Sequence, residues 1–343
     1  VSLMPLKIKD IKIDGYERVV HATDENTQLN CFIAIHNIKL GPALGGTRSW
    51  EYDNQESQLT DVTRLSEAMT LKNSVCGINF GGGKAALNLK GIKKTSDLYQ
   101  SYGEAVQALK GIYISAGDVG TTKEDLLEIQ KKTNYVNGIG IETSAPTARG
   151  LLNAIKSTCK FTLKKNDLKN IHIAISGSGK VGGKLAKLLY KEGAKLSIAN
   201  IDQSQLNELN KNIEFSRVSP DEIVGLECDL LSPCALGKVI HKKNINSLNC
   251  KMIVGAANNQ LENDDIGLNL KHNKVVYSPD FLVNSGGVIA ISCEINKNEK
   301  DLENQLNTIG KRATEVLEIS QKLDKATNTV AKNLALERIN NLT

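Results

Sequence analysis

The sequence predicts an α/β protein of two domains, in which the second domain contains a parallel β-sheet. A chain of 343 residues is longer than a typical single domain. Near residue 145 the pattern changes from mixed strands and helices to a regular alternation of strand and helix. Such alternation is typical of βαβ units on a parallel sheet with helices on both faces. We therefore expect domains at residues 1–145 and 146–325.

Short apolar or alternating segments predict the strands, and longer segments with apolar residues three and four apart predict the helices. In the first domain the strands are ERVVHATD, NCFIAIHN and GIYIS, and a helix is SDLYQSYGEAVQALKG. In the second domain the strands are NIHIAIS, AKLSIAN, ECDLLS, KMIVG and NKVVYSP, and a helix is KVGGKLAKLLYKEG. The tail from about Asp301 is predicted to be helical.

Composition and charge argue against several functional classes. The net charge is +5 and aromatic residues make up 4% of the chain. There is no basic stripe interleaved with stacking rings, so nucleic acid is not an expected partner. No apolar run approaches the roughly 18 residues of a membrane span, and the N-terminus lacks the apolar core of a signal peptide. We therefore expect no membrane association and a cytoplasmic location.

Cysteine and histidine usage points away from disulfides and metals. The seven cysteines are odd in number and form no CxxC pair, which favours reduced thiols. The five histidines are scattered without metal-ligand spacing, so no metal site is expected.

A glycine-rich turn lies between the apolar strand at residues 171–175 and a helix that ends at Gly193. Its six residues are Gly177, Ser178, Gly179, Lys180, Val181 and Gly182. Glycines at these spacings allow a tight turn and bring backbone N–H groups close to a pyrophosphate. The strand–turn–helix–strand context is the one that dinucleotide binding requires. Where an acidic residue is expected after the second strand, the sequence has Asn200, with Asp202 two residues later.

Three later strands each end in a loop of small and polar residues: LLSPCALG, IVGAANNQL and VVYSPDFLVNSGG. Loops at the carboxyl ends of parallel strands line the ligand crevice. Asn258, Asn259 and Asn284 could present their amides there, although asparagine is also common in turns for purely local reasons.

Two lysines lie where the pattern is apolar. Lys72 shares a helical face with Val62, Leu65, Met69 and Cys76, so it is predicted on a buried stripe. A buried ammonium needs an anion or a solvent-filled cleft. The alternative is a lysine that extends to water at the helix end.

Lys84 follows the triple glycine Gly81–Gly83 and begins the apolar strand AALNL. The glycines are expected to leave open space around this lysine. A desolvated lysine has a lowered pKa, as a catalytic lysine needs. The alternative is an ordinary strand-edge lysine after a flexible loop.

Two further features accompany the lysines. Asp118 follows the strand GIYIS and precedes Thr121 and Thr122, so it is either a turn or capping group or a cleft residue. The pair Gly45 and Gly46 would let a substrate approach the backbone closely.

Taken in order, these motifs resemble the glutamate, leucine, phenylalanine and valine dehydrogenases, most of all the leucine branch. The matching segments are GPALGGTR, AMTLKNSVCGINFGGGK, DVGTT, GSGKVGG, SPCALG, GAANNQL and SPDFLVNSGGVI. The resemblance implies a substrate-binding and catalytic first domain that also serves dimerisation, a Rossmann second domain, and a cleft between them. It also implies that the last helix, at about 326–343, returns to the first domain.

The resemblance assigns roles to individual residues. Lys72 matches the residue that binds the substrate carboxylate, Lys84 the catalytic lysine and Asp118 its acid/base partner. Thr147 resembles the threonine beside the nicotinamide amide, and Asn284 a substrate-side asparagine. The implied cofactor loops contain Cys234, Ala235, Ala257, Asn258 and Asn259.

The implied reaction is the reversible oxidative deamination of an L-amino acid to a 2-oxo acid and ammonium. Leu44, before Gly45 and Gly46, stands where glutamate enzymes carry a lysine, which favours an aliphatic substrate such as leucine, valine or isoleucine. An aromatic substrate is the alternative, and a catalytically silent nucleotide-binding regulator is another. The resemblance also implies a homo-oligomer, either a dimer or an octamer.

Three departures from the family pattern concern the cofactor and the cleft. Asn200 replaces the acid that reads the adenosine ribose, so we expect NAD with relaxed selectivity against NADP. The loop before Thr147 is shorter than in typical leucine enzymes, and Gly117 stands where a glutamate is common.

Overall fold

The computed structural model describes residues 6–341, which divide into two compact units. The described residues up to Ile141, together with Glu294–Asn296 and the chain from Ala335, form the first unit. The second unit contains Glu142–Cys293 and Lys297–Leu334. Residues 1–5 and 342–343 lie outside the described residues. The predicted last helix, at about 326–343, is therefore described only as far as residue 341.

The first unit is built on a six-stranded mixed sheet with the order β1-β2-β3-β5-β4-β6. Its strands are β1 (Lys7–Ile11), β2 (Arg18–Asp24), β3 (Leu29–Asn37), β4 (Ala43–Trp50), β5 (Gly81–Asn88) and β6 (Tyr113–Gly117). Its helices are α1 (Gln55–Val75), α2 (Ser96–Ala108) and α3 (Lys123–Gln130). β1, β2, β3 and β5 pair antiparallel, whereas β4 pairs parallel with both β5 and β6. The strands and the helix predicted in this region are confirmed.

A buried aromatic cluster supports one face of this sheet. Tyr99 and Tyr102 of α2 and Tyr113 of β6 are buried with aliphatic residues of β3 and β5. Each ring buries a large apolar surface while its hydroxyl keeps a hydrogen bond, as buried tyrosines generally do. The cluster is therefore bonded to β4, next to the strands around which the candidate site is built.

The triple glycine is not an open loop, and the expectation of open space around it is wrong. Gly81–Gly83 form the first three residues of β5, so Lys84 lies within the strand rather than at its start. A Cβ on Gly82 would lie 2.2 Å from the backbone nitrogen of Thr70, and one on Gly83 would lie 2.8 Å from the Tyr113 ring. These positions require glycine because α1 and the neighbouring side chains pack directly on the strand.

The buried face of α1 also differs from the predicted stripe. Val62 and Cys76 are buried as expected, but Leu65, Met69 and Lys72 are only half-buried. The fully buried line is instead largely polar and consists of Gln58, Val62, Ser66, Thr70 and Asn73. Small polar residues fit this face because the helix lies against the glycines of β5, where larger apolar side chains would collide.

The second unit contains a six-stranded, wholly parallel sheet with the order β12-β11-β10-β7-β8-β9. Its strands are β7 (His172–Ser176), β8 (Lys195–Ala199), β9 (Ser216–Arg217), β10 (Cys228–Pro233), β11 (Cys250–Ile253) and β12 (Val276–Tyr277). The remaining helices of the chain are α4 (Ser144–Leu163), α5 (Lys180–Lys191), α6 (Gln203–Asn210), α7 (Asp265–His272), α8 (Asp280–Val283), α9 (Gly286–Ile295), α10 (Leu302–Leu323) and α11 (Thr327–Asn340). The predicted parallel sheet and helical tail are confirmed.

The strand order reverses direction at the middle of this second sheet. Strands β8 and β9 follow on one side of β7, and β10, β11 and β12 follow on the other. In open α/β sheets, the crevice at such a switch point, outside the carboxyl ends of the strands, is where ligands bind. The glycine-rich turn predicted to bind a dinucleotide begins at the carboxyl end of β7.

The end of α11 is held by the first unit. Ser74 donates its hydroxyl hydrogen to the carbonyl of Ala335, and the Arg338 guanidinium donates to the carbonyls of Ser74 and Ile78. Within residues 6–341, no helix combines the length and hydropathy of a membrane span.

Candidate active site

Lys84, in the middle of β5, and Asp118, just after β6, form a largely buried ion pair in the first unit. Lys84 projects from β5, and its Nζ lies 3.2 Å from Oδ2 of Asp118. The Lys84 side chain is 8% exposed and that of Asp118 23%. The structure thus brings together the two residues that the sequence singled out as a proton-handling pair.

The alternative that Asp118 caps a helix does not hold. The cap of α3 is Thr122, whose hydroxyl accepts the backbone N–H of Asp125 while the Asp125 carboxylate accepts that of Thr122. Asp118 contributes only its backbone carbonyl to this turn, by accepting the N–H of Thr121. Its carboxylate is left to interact with cations.

Burial and neighbouring charges set the protonation of the pair. Burial lowers the pKa of Lys84 below its ordinary value, Arg48 lowers it further, and Asp118 opposes the shift. Burial acts to raise the pKa of Asp118, but the cations of Lys84 and Arg48 hold it below the usual range. A lysine with a lowered pKa beside an ionised carboxylate is suited to exchange protons.

Arg48 belongs to the same cluster, and sequence reasoning missed it. Its Nε lies 3.0 Å from Oδ2 of Asp118, and its Nη1 lies 3.0 Å from Oδ2 of Asp61 on α1. The available signal was the spacing from Gly46, because residues two apart on a strand share a face.

The paired glycines of β4 serve close packing around this cluster. A Cβ on Gly46 would lie 2.9 Å from Cβ of Asp118, and one on Gly45 would lie 1.7 Å from the carbonyl oxygen of Gly83. The same Gly45 position faces the side chain of Met69 on α1 at 3.3 Å. Leu44, the preceding residue, is 1% exposed. Any side chain at either glycine would displace the strands that hold Lys84 and Asp118.

Lys72 lies in the last turn of α1 and is half-buried. It is three residues along the same helix from Met69, which faces the glycine pair. A contact with a substrate carboxylate remains a prediction for this residue.

In the second unit, the turn after β7 forms a cradle of backbone groups. Gly177 has a φ of 101°, which favours glycine. A Cβ on Gly182 would lie 1.9 Å from the carbonyl oxygen of Gly177. Gly179 caps α5 without a side-chain hydrogen bond, and a Cβ there would have no neighbour within 4 Å. The start of α5 therefore has open space beside Gly179 and no side-chain cap on its N–H groups, which fits a dinucleotide pyrophosphate.

The loops predicted to contact the cofactor lie after the neighbouring strands. A Cβ on Gly177 would lie 2.5 Å from Cβ of Ala235, so the loop with Cys234 and Ala235 packs against the glycine-rich turn. Ala257 donates its N–H to the carbonyl of Pro233, and the following Asn258 and Asn259 are exposed. In the turn itself Ser178 is buried, whereas Lys180 is exposed and Val181 half-buried.

Asn200 and Asp202 are engaged in local hydrogen bonds. The Asn200 amide donates to Oγ of Ser178 and to Oε1 of Gln205, each at 2.8 Å. Asp202 caps α6, and its Oδ1 accepts the N–H of Ser204. Contacts of either residue with a ribose remain predictions.

Two predicted residues of the second unit lie at helix ends. Thr147 is in the first turn of α4 and donates its hydroxyl hydrogen to the carbonyl of Thr143. Asn284 ends α8 and donates to the carbonyl of Ala256 and to Oδ1 of Asn258. Its own Oδ1 is buried and has no hydrogen-bond partner among residues 6–341, so it is an unsatisfied acceptor, and a contact with the substrate remains a prediction.

Among the described residues, the remaining polar groups form no metal site. No group of three or more His, Cys, Asp or Glu within residues 6–341 is arranged to hold a metal ion. The seven cysteines all carry free thiols, and all but Cys234 are buried.

Comparison with known proteins identifies the family. Residues 16–135 match the model of the Glu/Leu/Phe/Val dehydrogenase dimerisation domain, and residues 196–343 match that of the glutamate/leucine/phenylalanine/valine dehydrogenases. The chain belongs to this family.

Characterised relatives cover nearly the whole chain. It is 38% identical to a leucine dehydrogenase of Bacillus cereus, over 95% of the chain and 92% of that protein. It is 38% identical to a phenylalanine dehydrogenase of Lysinibacillus sphaericus, over 83% and 78%. The crystal structure of L-tryptophan dehydrogenase from Nostoc punctiforme is similar with a TM-score of 0.87 at 34% identity, over 96% and 97%. The protein is therefore an amino-acid dehydrogenase, in a family of NAD(P)-dependent oxidoreductases.

Proposed function

We propose that this dehydrogenase catalyses the reversible, NAD-dependent oxidative deamination of an aliphatic L-amino acid. The products are the 2-oxo acid and ammonium. The observation that carries the proposal is the buried pair of Lys84 and Asp118, whose Nζ and Oδ2 lie 3.2 Å apart beside the glycine pair of β4. Neutral lysine and ionised aspartate are the two proton acceptors that this reaction needs.

The proton steps are assigned to these two side chains. The α-hydrogen leaves the substrate with its electron pair, which converts the amine to an iminium. Water then adds to the α-carbon, and neutral Lys84 takes a proton from that water. Asp118 moves protons to and from the nitrogen, which finally leaves as ammonium. The bound nicotinamide dinucleotide supplies the hydride chemistry itself.

Other residues are assigned to binding and orientation. Lys72 pairs with the α-carboxylate and thereby fixes the direction of the α-hydrogen, which is catalysis by orientation. The unmatched Oδ1 of Asn284 accepts a hydrogen bond from the substrate side. Thr147 contacts the nicotinamide amide, and the N-terminal turn of α5 binds the pyrophosphate.

The preference for an aliphatic side chain rests on Leu44. Glutamate enzymes carry a lysine at this position, and a substrate carboxylate beside leucine would be buried without a partner. Leu44 is 1% exposed and precedes the two glycines, so no charge from this residue is available to a polar substrate side chain. The leucine dehydrogenase of Bacillus cereus, at 38% identity, supports the same choice.

An aromatic L-amino acid is the second candidate. The structural similarity to L-tryptophan dehydrogenase, with a TM-score of 0.87, and the 38% identity to a phenylalanine dehydrogenase favour it. An uncharged residue at Leu44 is compatible with both classes, so the volume of the pocket decides between them.

NAD is the proposed cofactor because the strand end at Asn200 offers no cation to a 2′-phosphate. The segment from Ile201 to Asn210 contains no lysine or arginine, whereas NADP sites use an arginine there. A neutral Asn200 also lacks the charge that repels the phosphate, which relaxes the selectivity.

We also propose that the protein acts as a homo-oligomer. Residues 16–135 match a domain that is named for dimerisation. Light scattering coupled to size-exclusion chromatography measures the assembly directly, and a monomer at micromolar concentration would contradict the proposal.

The test is a panel of L-amino acids assayed with NAD and with NADP. We expect the highest kcat/KM with leucine, valine or isoleucine and NAD, and the reverse reaction with the matching 2-oxo acid and ammonium. A higher kcat/KM with phenylalanine or tryptophan would replace the aliphatic assignment by the aromatic one. No oxidation of any amino acid would contradict the proposed function.

A further inference from the structure

Arg48 connects the proton-handling pair to a second carboxylate without belonging to the pair. It lies near the end of β4, and its side chain is 22% exposed. Its Nε donates to Asp118 and its Nη1 donates to Asp61, each at a distance of 3.0 Å. Because the guanidinium is planar and rigid, contacts at both nitrogens fix the direction from which it approaches Asp118.

Asp61, the second carboxylate that binds Arg48, accepts further hydrogen bonds at both of its oxygens. Oδ2 of Asp61 accepts the Tyr52 hydroxyl at 2.7 Å, and Oδ1 accepts Nη2 of Arg64 at 2.8 Å. The backbone of Tyr52 is in turn joined to the side chain of Asn88, at the end of β5, by two hydrogen bonds of 3.1 Å. The strand that carries Lys84 thus also supports the group that fixes Arg48.

The two cations meet Asp118 on the same oxygen. Arg48 Nε lies 3.0 Å and Lys84 Nζ lies 3.2 Å from Oδ2. Within residues 6–341, no hydrogen bond to Oδ1 of Asp118 is found. One oxygen of the carboxylate is therefore held by two charge-assisted contacts, and the other is available.

We propose that Arg48 is a positioning residue, which holds Oδ2 of Asp118 so that Oδ1 is the oxygen that exchanges the proton with the substrate's amino group. Arg48 acts through Asp118 and does not touch the substrate. The inference rests on the proposed function, because it concerns the same proton transfer.

The charges around Lys84 give this role a measurable sign. Burial is the main cause that lowers the pKa of Lys84. Among the neighbouring charges, Asp118 after β6 and Asp61 on α1 raise this pKa, and Arg48 on β4 lowers it further. Removing the charge of Arg48 should therefore raise the pKa of Lys84, and removing that of Asp61 should lower it. Two substitutions that affected only the stability of the fold would not shift the pKa of Lys84 in opposite directions.

The experiment compares Arg48→Gln, Arg48→Lys and Asp61→Asn with the parent enzyme in amino-acid oxidation. For Arg48→Gln we expect kcat to fall at least tenfold, with KM within threefold of the parent value. The rising limb of the profile of kcat/KM against pH should move to higher pH. Arg48→Lys, which keeps a cation but not the fork, should recover part of the lost kcat. Asp61→Asn should move the limb to lower pH. The matched control is Arg18→Gln, which breaks an exposed arginine–aspartate pair of the same unit and should change neither quantity.

Two results would overturn the inference. One is kcat within twofold of the parent in Arg48→Gln, and the other is lost activity with an unmoved limb in both Arg48→Gln and Asp61→Asn. If Arg48→Gln does not fold, Arg48→Lys decides: a kcat below that of the parent at unchanged KM supports the inference, and a kcat within twofold of the parent contradicts it. A parent enzyme that oxidises no amino acid would instead refute the proposed function, so the two failures are distinguishable.

Discussion

The two candidate sites of this protein consist of different chemical groups, charged side chains in one and backbone groups in the other. In the first unit, Lys84, Asp118, Arg48 and Asp61 form a chain of alternating charges, each held by a neighbour of opposite sign. In the second unit, the turn that begins at Gly177 offers backbone N–H groups and very little side chain. One site depends on which charges are present, whereas the other depends on which side chains are absent.

This difference determines how each site fails. Removal of one partner from a buried ion pair leaves the other charge uncompensated, which typically costs roughly 3–5 kcal/mol. Addition of a methyl group to a backbone cradle instead causes a collision or blocks the ligand. Substitutions in the two units should therefore affect different measured quantities.

The largest expected effect is on the charged site. Lys84→Ala removes the proposed proton acceptor, so kcat for amino-acid oxidation should fall by about 10²–10⁴, the usual contribution of acid–base groups. Lys72→Ala should mainly raise KM, because a carboxylate contact is shared by ground state and transition state. Steady-state kinetics of both variants test the contrast.

The matched control for Lys84→Ala is Lys90→Ala, an exposed lysine just past β5 that pairs with Asp53. It should leave kcat unchanged. A kcat for Lys84→Ala within threefold of the parent would remove the catalytic assignment.

The backbone cradle should separate binding from stability. Gly179→Ala places a methyl group in open space at the start of α5, so stability should change by less than about 0.5 kcal/mol while the Kd for NAD rises. Gly182→Ala meets the carbonyl of Gly177, and overpacking of this kind costs about 1–3 kcal/mol. Calorimetric titration with NAD and urea denaturation measure the two effects. Equal stability losses in both variants would contradict the open space assigned to Gly179.

The pH dependence should follow the lowered pKa of Lys84. Oxidation needs the neutral amine, so kcat/KM for the amino acid should rise with pH and level off below the ordinary lysine pKa of 10.5. Reductive amination needs the protonated amine, so its rate should fall over the same interval. Rate profiles in both directions test this. A limb at or above 10.5 would mean that Lys84 is not the group that titrates.

The smallest expected effect is at Asn200. Asn200→Asp introduces the negative charge that repels a 2′-phosphate, so the ratio of kcat/KM for NAD to that for NADP should increase by roughly threefold to tenfold. The hydroxyl of Ser178, which now accepts from the Asn200 amide, can donate to the new carboxylate and preserve the contact. An unchanged ratio would show that another group reads the ribose.

Sequence patterns predicted most of the elements but not every packing face. The parallel strands of the second unit are short apolar runs between turns, and their type follows from local pattern alone. The prediction of the buried face of α1 was wrong because hydrophobic periodicity assumes that apolar residues face the core. Here Thr70 and Asn73 are buried instead, because the opposing strand begins with three glycines.

The candidate site shows the same division. Lys84 and Asp118 became candidates through the triple glycine and the strand–turn position, and the family resemblance assigned their roles. Arg48 was missed because an arginine near a strand end is ordinary in sequence, and its spacing from Gly46 indicates only a shared strand face. Its importance comes from Asp61, 13 residues away, and Asp118, 70 residues away, and no local pattern reports such distances.

By itself, the sequence determined the α/β class, the glycine-rich turn, the family and, through the family resemblance, the candidate proton-handling pair. These features depend on local conformational preference and on residue type, which the chain states directly. Only the tertiary structure decided that Gly81–Gly83 form a tightly packed strand, that Asn200 bonds to Ser178, and that Arg48 and Lys84 converge on one oxygen of Asp118. The physical reason is that close packing and charge balance arise between segments far apart in the chain, where the cost of each group depends on neighbours that folding supplies.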